Sequence, residues 1–380
     1  MKKFWELLKN EYKRFFSDQG AFLIMIIGVL VYPIIYAIPY SPELVNNMPV
    51  GVIDYDNTKM SRQFIRMVDE NENTDVIKNF SDPNEAQEDF YKDKIKGYFI
   101  VPYNFERDIL RGEKTNISLY CDSAYLIVYK QITSSVQGSA KILSSGIELN
   151  KIMKEGKSRN EGMKILQPYE LVSIPLYNSQ GGYASYIYPV VLLLIIQQTF
   201  LVGVALVGAT QREKKEKFVN PHLTILSKTI CYSSTYFVYS FVYFIILPWI
   251  LKYSVYYNFT MFLVIIPFLF AVCLLGQTLT YLFKEREYSI ITLAVLGLPF
   301  LILPGFIWPK EAMPFWLNII SKLVPSTSAV DGMIRLNQMN ASFSQIYLDI
   351  IILIGLCVLY YIGAYFALKT INQNNSLKAQ

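Results

Sequence analysis

Tyr186-Ile-Tyr-Pro-Val-Val-Leu-Leu-Leu-Ile-Ile-Gln-Gln-Thr-Phe-Leu-Val-Gly-Val-Ala-Leu-Val-Gly-Ala209 carries no charge over its whole length. Thr210 and Gln211 follow, then the mixed-charge run Arg212-Glu-Lys-Lys-Glu-Lys217. An uncharged run of this length is what an α-helix needs to cross a bilayer. Five more apolar runs lie near residues 21–38, 229–251, 259–283, 288–308 and 346–368. The expected fold class is therefore a polytopic α-helical membrane protein with six transmembrane helices. The first run is not a cleaved signal peptide, because it ends in Tyr36-Ala-Ile-Pro-Tyr40 without a small-residue cleavage site.

Composition agrees with that reading. Of 380 residues, 53% are hydrophobic and 17% charged, against roughly 25% charged in soluble domains. Disorder, collagen and coiled coil are ruled out, and the composition speaks against a wholly soluble protein. Residues 41–180 hold 20 acids and 17 bases, and the remainder 10 acids and 18 bases. Those remaining bases sit in short pieces between apolar runs, which speaks against a nucleic-acid surface. In the short connections, 14 Lys and Arg fall on one side of the six spans and 4 on the other. The richer side is the cytoplasmic one by the positive-inside rule, so both termini are expected there.

Residues 1–18 read as an amphipathic interfacial helix, with Phe4, Trp5, Leu8, Tyr12, Phe15 and Phe16 along one stripe. It is either a plain anchor or a docking element. The first span occupies 19–40. Residues 41–185 are expected to form an inserted extracytoplasmic α/β domain. Its strands are read at 49–53, 97–101 and 116–120. Its helices are read at 58–70, at 83–92 with Asp82 as cap, at 105–111 stopped by Gly112, and along Ile132, Val136, Ala140, Leu143 and Ile147. A five-helix region follows over 186–370, then a cytoplasmic tail over 371–380. Within that region, residues 309–340 hold Pro309, Pro314 and Pro325 and suit an outer re-entrant pair of half-helices.

Catalytic signatures fail inspection. Gly156-Lys157-Ser158 lacks the earlier glycine of a phosphate loop, since position 151 is Lys. The chain has one histidine, His222, and four cysteines, three of them in apolar runs. No catalytic residue, metal site or cofactor is expected. The only clearly ionisable residue inside the six runs is Asp349, whereas ion-coupled transporters need such groups at mid-membrane. The polar residues Gln197, Gln198, Thr199, Gln277 and Thr278 are candidates either for a pore lining or for interhelical hydrogen bonds. If the chain transports, its energy comes from elsewhere.

The order of short helix, span, large outer domain and five further spans resembles the permease subunits of type-2 ATP-binding-cassette (ABC) exporters with a large extracytoplasmic domain. Four local patterns carry the resemblance. They are Val50-Gly-Val-Ile-Asp-Tyr-Asp56 with Ser61-Arg62, Gly97-Tyr-Phe-Ile-Val-Pro-Tyr-Asn-Phe-Glu-Arg-Asp108 with Gly112, Leu176-Tyr-Asn178 before Tyr186 and Pro189, and Pro325-Ser-Thr327 through Gly332 and Leu336-Asn-Gln338. After the second span the family usually has Gly-Thr behind its charged run; here Phe218-Val-Asn-Pro221 stands instead. The resemblance implies a non-catalytic permease that exports a substrate with energy from a cytoplasmic ABC ATPase subunit. It also implies pairing with a second permease, as a homodimer or with a sister chain, in a bacterial inner membrane. A periplasmic adaptor protein is a further implied partner. The loop 212–226 would couple to the ATPase through Arg212, Glu213, Lys214, Lys215, Glu216 and Lys217. Aromatic, uncharged spans suit an amphipathic or apolar cargo. The alternatives are a membrane-anchored extracytoplasmic ligand receptor and a membrane-embedded enzyme.

Overall fold

The computed structural model describes residues 2–38, 46–169, 174, 176–177, 182–216, 218, 220–253, 255–280, 283 and 285–377. The chain divides into two compact units, Leu44–Ile174 on one hand and Met1–Glu43 with Pro175–Gln380 on the other. The second of these opens with α1 (Lys2–Ser17) and α2 (Gln19–Tyr36). Asp18 separates them by capping α2, accepting from the Gly20 and Ala21 amides at 3.1 and 3.0 Å. The face of α1 bearing Leu8, Glu11 and Phe15 is buried, while Trp5 and Phe16 of the expected stripe are exposed.

The unit Leu44–Ile174 runs β1 (Met48–Asp54), α3 (Lys59–Asp69), β2 (Thr74–Asn79), α4 (Pro83–Tyr91), β3 (Gly97–Val101), α5 (Phe105–Arg111), β4 (Ser118–Cys121), α6 (Leu126–Lys154) and α7 (Arg159–Leu166). The sheet order is β2-β1-β3-β4, parallel except for β4. Alternation along the strands sends Val50, Val52, Phe99 and Val101 to one face, against Phe64 and Val68 of α3 and Ile132 and Val136 of α6. Ile53 and Tyr98 point the other way, onto Phe80, Ala86 and Ile95. Local chemistry sets the helix ends. Thr58 and Ser61 form a capping box, Asp82 caps a helix with Pro83 in its first turn, and Gly112 at φ +78° ends α5. The strand β2 has no counterpart in the sequence reading.

The remaining helices are α8 (Tyr183–Glu213), α9 (Pro221–Leu251), α10 (Met261–Leu279), α11 (Arg286–Ile302), α12 (Phe315–Ser321), α13 (Pro325–Asn337) and α14 (Phe343–Leu377). The charge-free stretch forms most of α8, which is the central helix: α2, α10, α11 and α13 all pack on it. A Cβ at Gly203 would lie 2.1 Å from Met25, so the missing side chain lets α2 and α8 approach. Among the described residues five helices are long and apolar enough to cross a membrane: α2, α8, α9, α10 and α14. The run expected at 288–308 is helical only to Ile302, and the chain then turns through Gly305 at φ +89°. The expected tail beyond 370 continues as helix to Leu377.

Two prolines in the long helices, Pro33 and Pro189, leave carbonyls without their usual partner, and other elements supply one. Pro33 has no N–H for the Val29 carbonyl; the Tyr243 hydroxyl of α9 donates to it instead. Pro189 does the same to Ser185, whose carbonyl accepts from Gln338 Nε2 at 3.2 Å. In hydrocarbon an unpaired carbonyl is costly, so these bonds also fix how the helices pack.

Candidate functional site

The charged run at the end of α8 lies in a collar of ionic contacts. The helix closes in a double turn: Glu216 N–H bonds Gln211 O at 3.1 Å and Lys215 N–H bonds Arg212 O at 3.0 Å, with Lys215 at φ +52°. This turn aims Glu216 back at α1, where Arg14 meets it at 2.8 Å. Arg14 also reaches Glu11 at 3.3 Å. Glu11 accepts from Gln211 Nε2 at 3.3 Å and from the Tyr232 hydroxyl at 2.9 Å. Gln211 in turn accepts from Lys228 Nζ of α9. Glu11, Gln211 and Lys228 are 4%, 2% and 5% exposed. Two acids and two bases make the cluster neutral, which is what burial demands. Removing one partner from such a buried set costs about 3–5 kcal/mol, whereas the half-exposed Arg14–Glu216 contact is worth about 0.2–1 kcal/mol.

A second arm starts from the same turn. Glu213 accepts from the Arg286 amide at 2.7 Å, satisfying a free donor at the start of α11. The Arg286 guanidinium grips Asp18 with two bonds of 2.7 and 3.1 Å. A Cβ at Gly20 would lie 2.3 Å from Arg286 Nη2, so a larger residue there would displace the guanidinium from this position. Arg212 donates to the Phe283 carbonyl at 2.6 Å. The collar therefore joins the first residues of α2 and α11 to the end of α8.

The connection onward to α9 is held by α14. Asn372 bonds both main-chain groups of Phe218, at 3.0 and 2.7 Å. His222 Nδ1 lies 2.6 Å from the Tyr361 hydroxyl, and its ring stacks on Tyr365. Lys217 lies outside the described residues. Lys214 and Lys215 differ from their neighbours. Both are exposed, and among the described residues neither side chain has an ion pair or hydrogen bond.

The intramembrane candidates are spread among helix contacts rather than gathered at one point. Gln197 accepts from the Ser326 amide of α13 at 2.8 Å, and Gln198 donates to Leu293 O of α11 at 2.6 Å. Thr199 accepts from the Tyr236 hydroxyl at 3.2 Å. Gln277 donates to Thr229 Oγ1 at 3.0 Å, and Thr278 to Tyr360 O at 2.9 Å. Each joins two helices. Asp349 pairs with Arg335 at 3.2 Å. The sequence reading missed Glu11, Asp18, Gly20 and Arg286 as a group, and Lys228 is one of the 14 basic residues it assigned to the short connections. Glu11 could have been noticed, since it stands three residues from Leu8 and four from Phe15 on the buried face.

Several long apolar helices around one central helix, with charge concentrated at its end, define a multi-pass membrane protein. Residues 20–366 match the family model described as ABC-2 family transporter protein, and the chain belongs to that family. No curated protein matches the chain. The family is a non-catalytic transport component, so the chain is the membrane part of an ABC transporter.

Proposed function

We propose that this chain is the permease subunit of an ATP-driven exporter, moving an amphipathic or apolar molecule out of the cytoplasm or inner membrane. A cytoplasmic ABC ATPase subunit supplies the energy, and a second permease, identical or sister, completes the pathway. Both termini are cytoplasmic, the unit Leu44–Ile174 lies on the far side of a bacterial inner membrane, and a periplasmic adaptor can receive the cargo there. In this reading α11 is the sixth span: at 1.5 Å per residue it is about 25 Å long, near the lower limit for crossing.

The observation that carries the proposal is the division of labour in the run at 212–216. The Lys214 and Lys215 side chains have no ion pair or hydrogen bond among the described residues and are the groups offered to the ATPase. Glu216 holds α1 through Arg14, Glu213 holds the first residue of α11, whose guanidinium grips Asp18 at the start of α2, and Arg212 holds the Phe283 carbonyl. Movement of the loop then shifts the end of α1 and the starts of α2 and α11 together, and ATP supplies the bias between two arrangements. The test is hydrolysis. The purified chain alone should hydrolyse no ATP, and with its ATPase subunit it should support hydrolysis and efflux. Hydrolysis by the isolated chain, with contamination excluded, overturns the proposal.

A further inference from the structure

The unit Leu44–Ile174 carries a groove of about 610 Å³ between α5, residues 112–117 and the second half of α6. Volumes of 300–1,000 Å³ are typical of sites for small organic ligands. The floor is an extension of the domain core. Phe105 and Leu143 are buried beneath it, and Ile109, Ile117, Ala140 and Ile147 are left partly open. Apolar surface of this kind, open to water at the edge of a finished core, gains free energy from any apolar group that covers it.

The rim has a different chemistry. Glu113 and Lys114 stand on one side, Glu148 and Lys151 on the other. Among the described residues none of these four side chains makes an ion pair or hydrogen bond. Around α4, by contrast, charges are paired: Lys78 with Glu85 and Asp89, Lys94 with Asp89, Lys92 with Glu88 and Lys96 with Asp93. The main chain repeats the contrast, since Lys114, Thr115 and Asn116 make no main-chain hydrogen bond among the described residues. The groove thus has an apolar floor, one wall of open peptide groups and a rim of two free cations and two free anions.

From that combination we infer that the groove is a binding site for a zwitterionic amphiphile, with its apolar chain on the Ile109–Ile147 floor and its head between the two Lys–Glu pairs. A head of a single sign would face two like charges on the rim, and an uncharged one would leave all four unused. The groove belongs to a different unit from the charged collar and does not depend on the exporter reading.

The test uses the full-length permease in amphipol with Cys121→Ser and Ala140→Cys, and follows the rate of maleimide labelling. The probe is a lysophosphatidylethanolamine with a 12-carbon chain. It should slow labelling at position 140 saturably, by about fivefold or more, and leave a Tyr91→Cys control unchanged. Dodecyl maltoside, with the same chain and no charge, should protect less than twofold. A further variant, Lys114→Ala with Lys151→Ala, should raise the probe concentration for half-protection about fivefold. Absence of protection by the lysophospholipid, or equal protection by the maltoside, overturns the inference. An unchanged half-protection concentration in the double variant overturns the role of the rim. None of these measurements involves the ATPase, so their failure leaves the exporter proposal standing, and the converse also holds.

Discussion

Gly20 shows how much can hang on one absent side chain. The Asp18–Arg286 grip depends on the space where a Cβ would be, 2.3 Å from Arg286 Nη2. Gly20→Ala changes no charge and sits in the first turn of a helix, where alanine is a good residue. It should nonetheless act like Asp18→Asn, because both break the same bidentate pair. Each should lower ATP-driven efflux about tenfold, the equivalent of about 1.4 kcal/mol, and the double variant should be no worse than Asp18→Asn alone. Efflux rates of the three variants provide the check, and additive losses would separate Gly20 from the ion pair. This juxtaposition was not legible in the sequence, because Asp18 and Arg286 are 268 residues apart. The boundary itself was legible, as a polar Asp-Gln-Gly between an amphipathic stripe and an apolar run. Lys228 was misread for a related reason. It precedes an apolar run and so looks like a loop charge, but α9 begins seven residues earlier and buries it among Gln211 and Glu11.

At the scale of the element, local signals were read well and pairing was not. Caps and stops carry their own chemistry: Thr58, Asp82-Pro83 and Gly112 each stand where a helix begins or ends. The strand β2 escaped because only Thr74 in it is fully buried; it is an edge strand recognisable by its pairing with β1. The proline-freed carbonyls belong to this scale too. Tyr243→Phe removes the donor to Val29 O and should destabilise the purified protein by about 1–3 kcal/mol. In a Pro33→Ala background the restored amide can serve that carbonyl, and the same Tyr243→Phe change should then cost little. Thermal unfolding of the four proteins in one detergent measures this, and an undiminished cost in the alanine background would rule out the carbonyl as its cause. Acid acts on α4 in a known direction. Hydrogen bonds from Lys94 and Lys78 hold the Asp89 carboxyl below its usual range. A depressed folded pKa means that this stabilisation is present at neutral pH and is lost as pH falls through that lowered value. Loosening around α4 should therefore appear only below about pH 4. Amide exchange in α4 against pH reads it, and Asp89→Asn should weaken the dependence, leaving the part carried by Glu88 with Lys92; an onset near pH 6 would contradict the assignment.

The whole molecule is a membrane component of an ABC transporter, and two consequences can be measured at that scale. The first is topology. A cysteine placed at Asn73 should be labelled from outside intact cells, and one placed at Lys215 should be protected; the reverse pattern would invert the proposed orientation. The apolar runs made the membrane class plain from composition alone. The collar needed the fold, since it draws on α1, α2, α8, α9 and α11 at once. The second consequence addresses the claim that ATP energy enters through the turn after α8. Glu213 and Glu216 are poor probes of docking, because both already serve the collar. Lys214 and Lys215 are exposed, and among the described residues their side chains make no ion pair or hydrogen bond. The decisive measurement is the amount of ATPase subunit retained on affinity-purified permease carrying Lys214→Glu with Lys215→Glu. Retention should fall about tenfold or more, as expected when interfacial charges are reversed, with permease abundance unchanged and efflux lost. Full retention with normal efflux would contradict the account and move the docking site away from this turn.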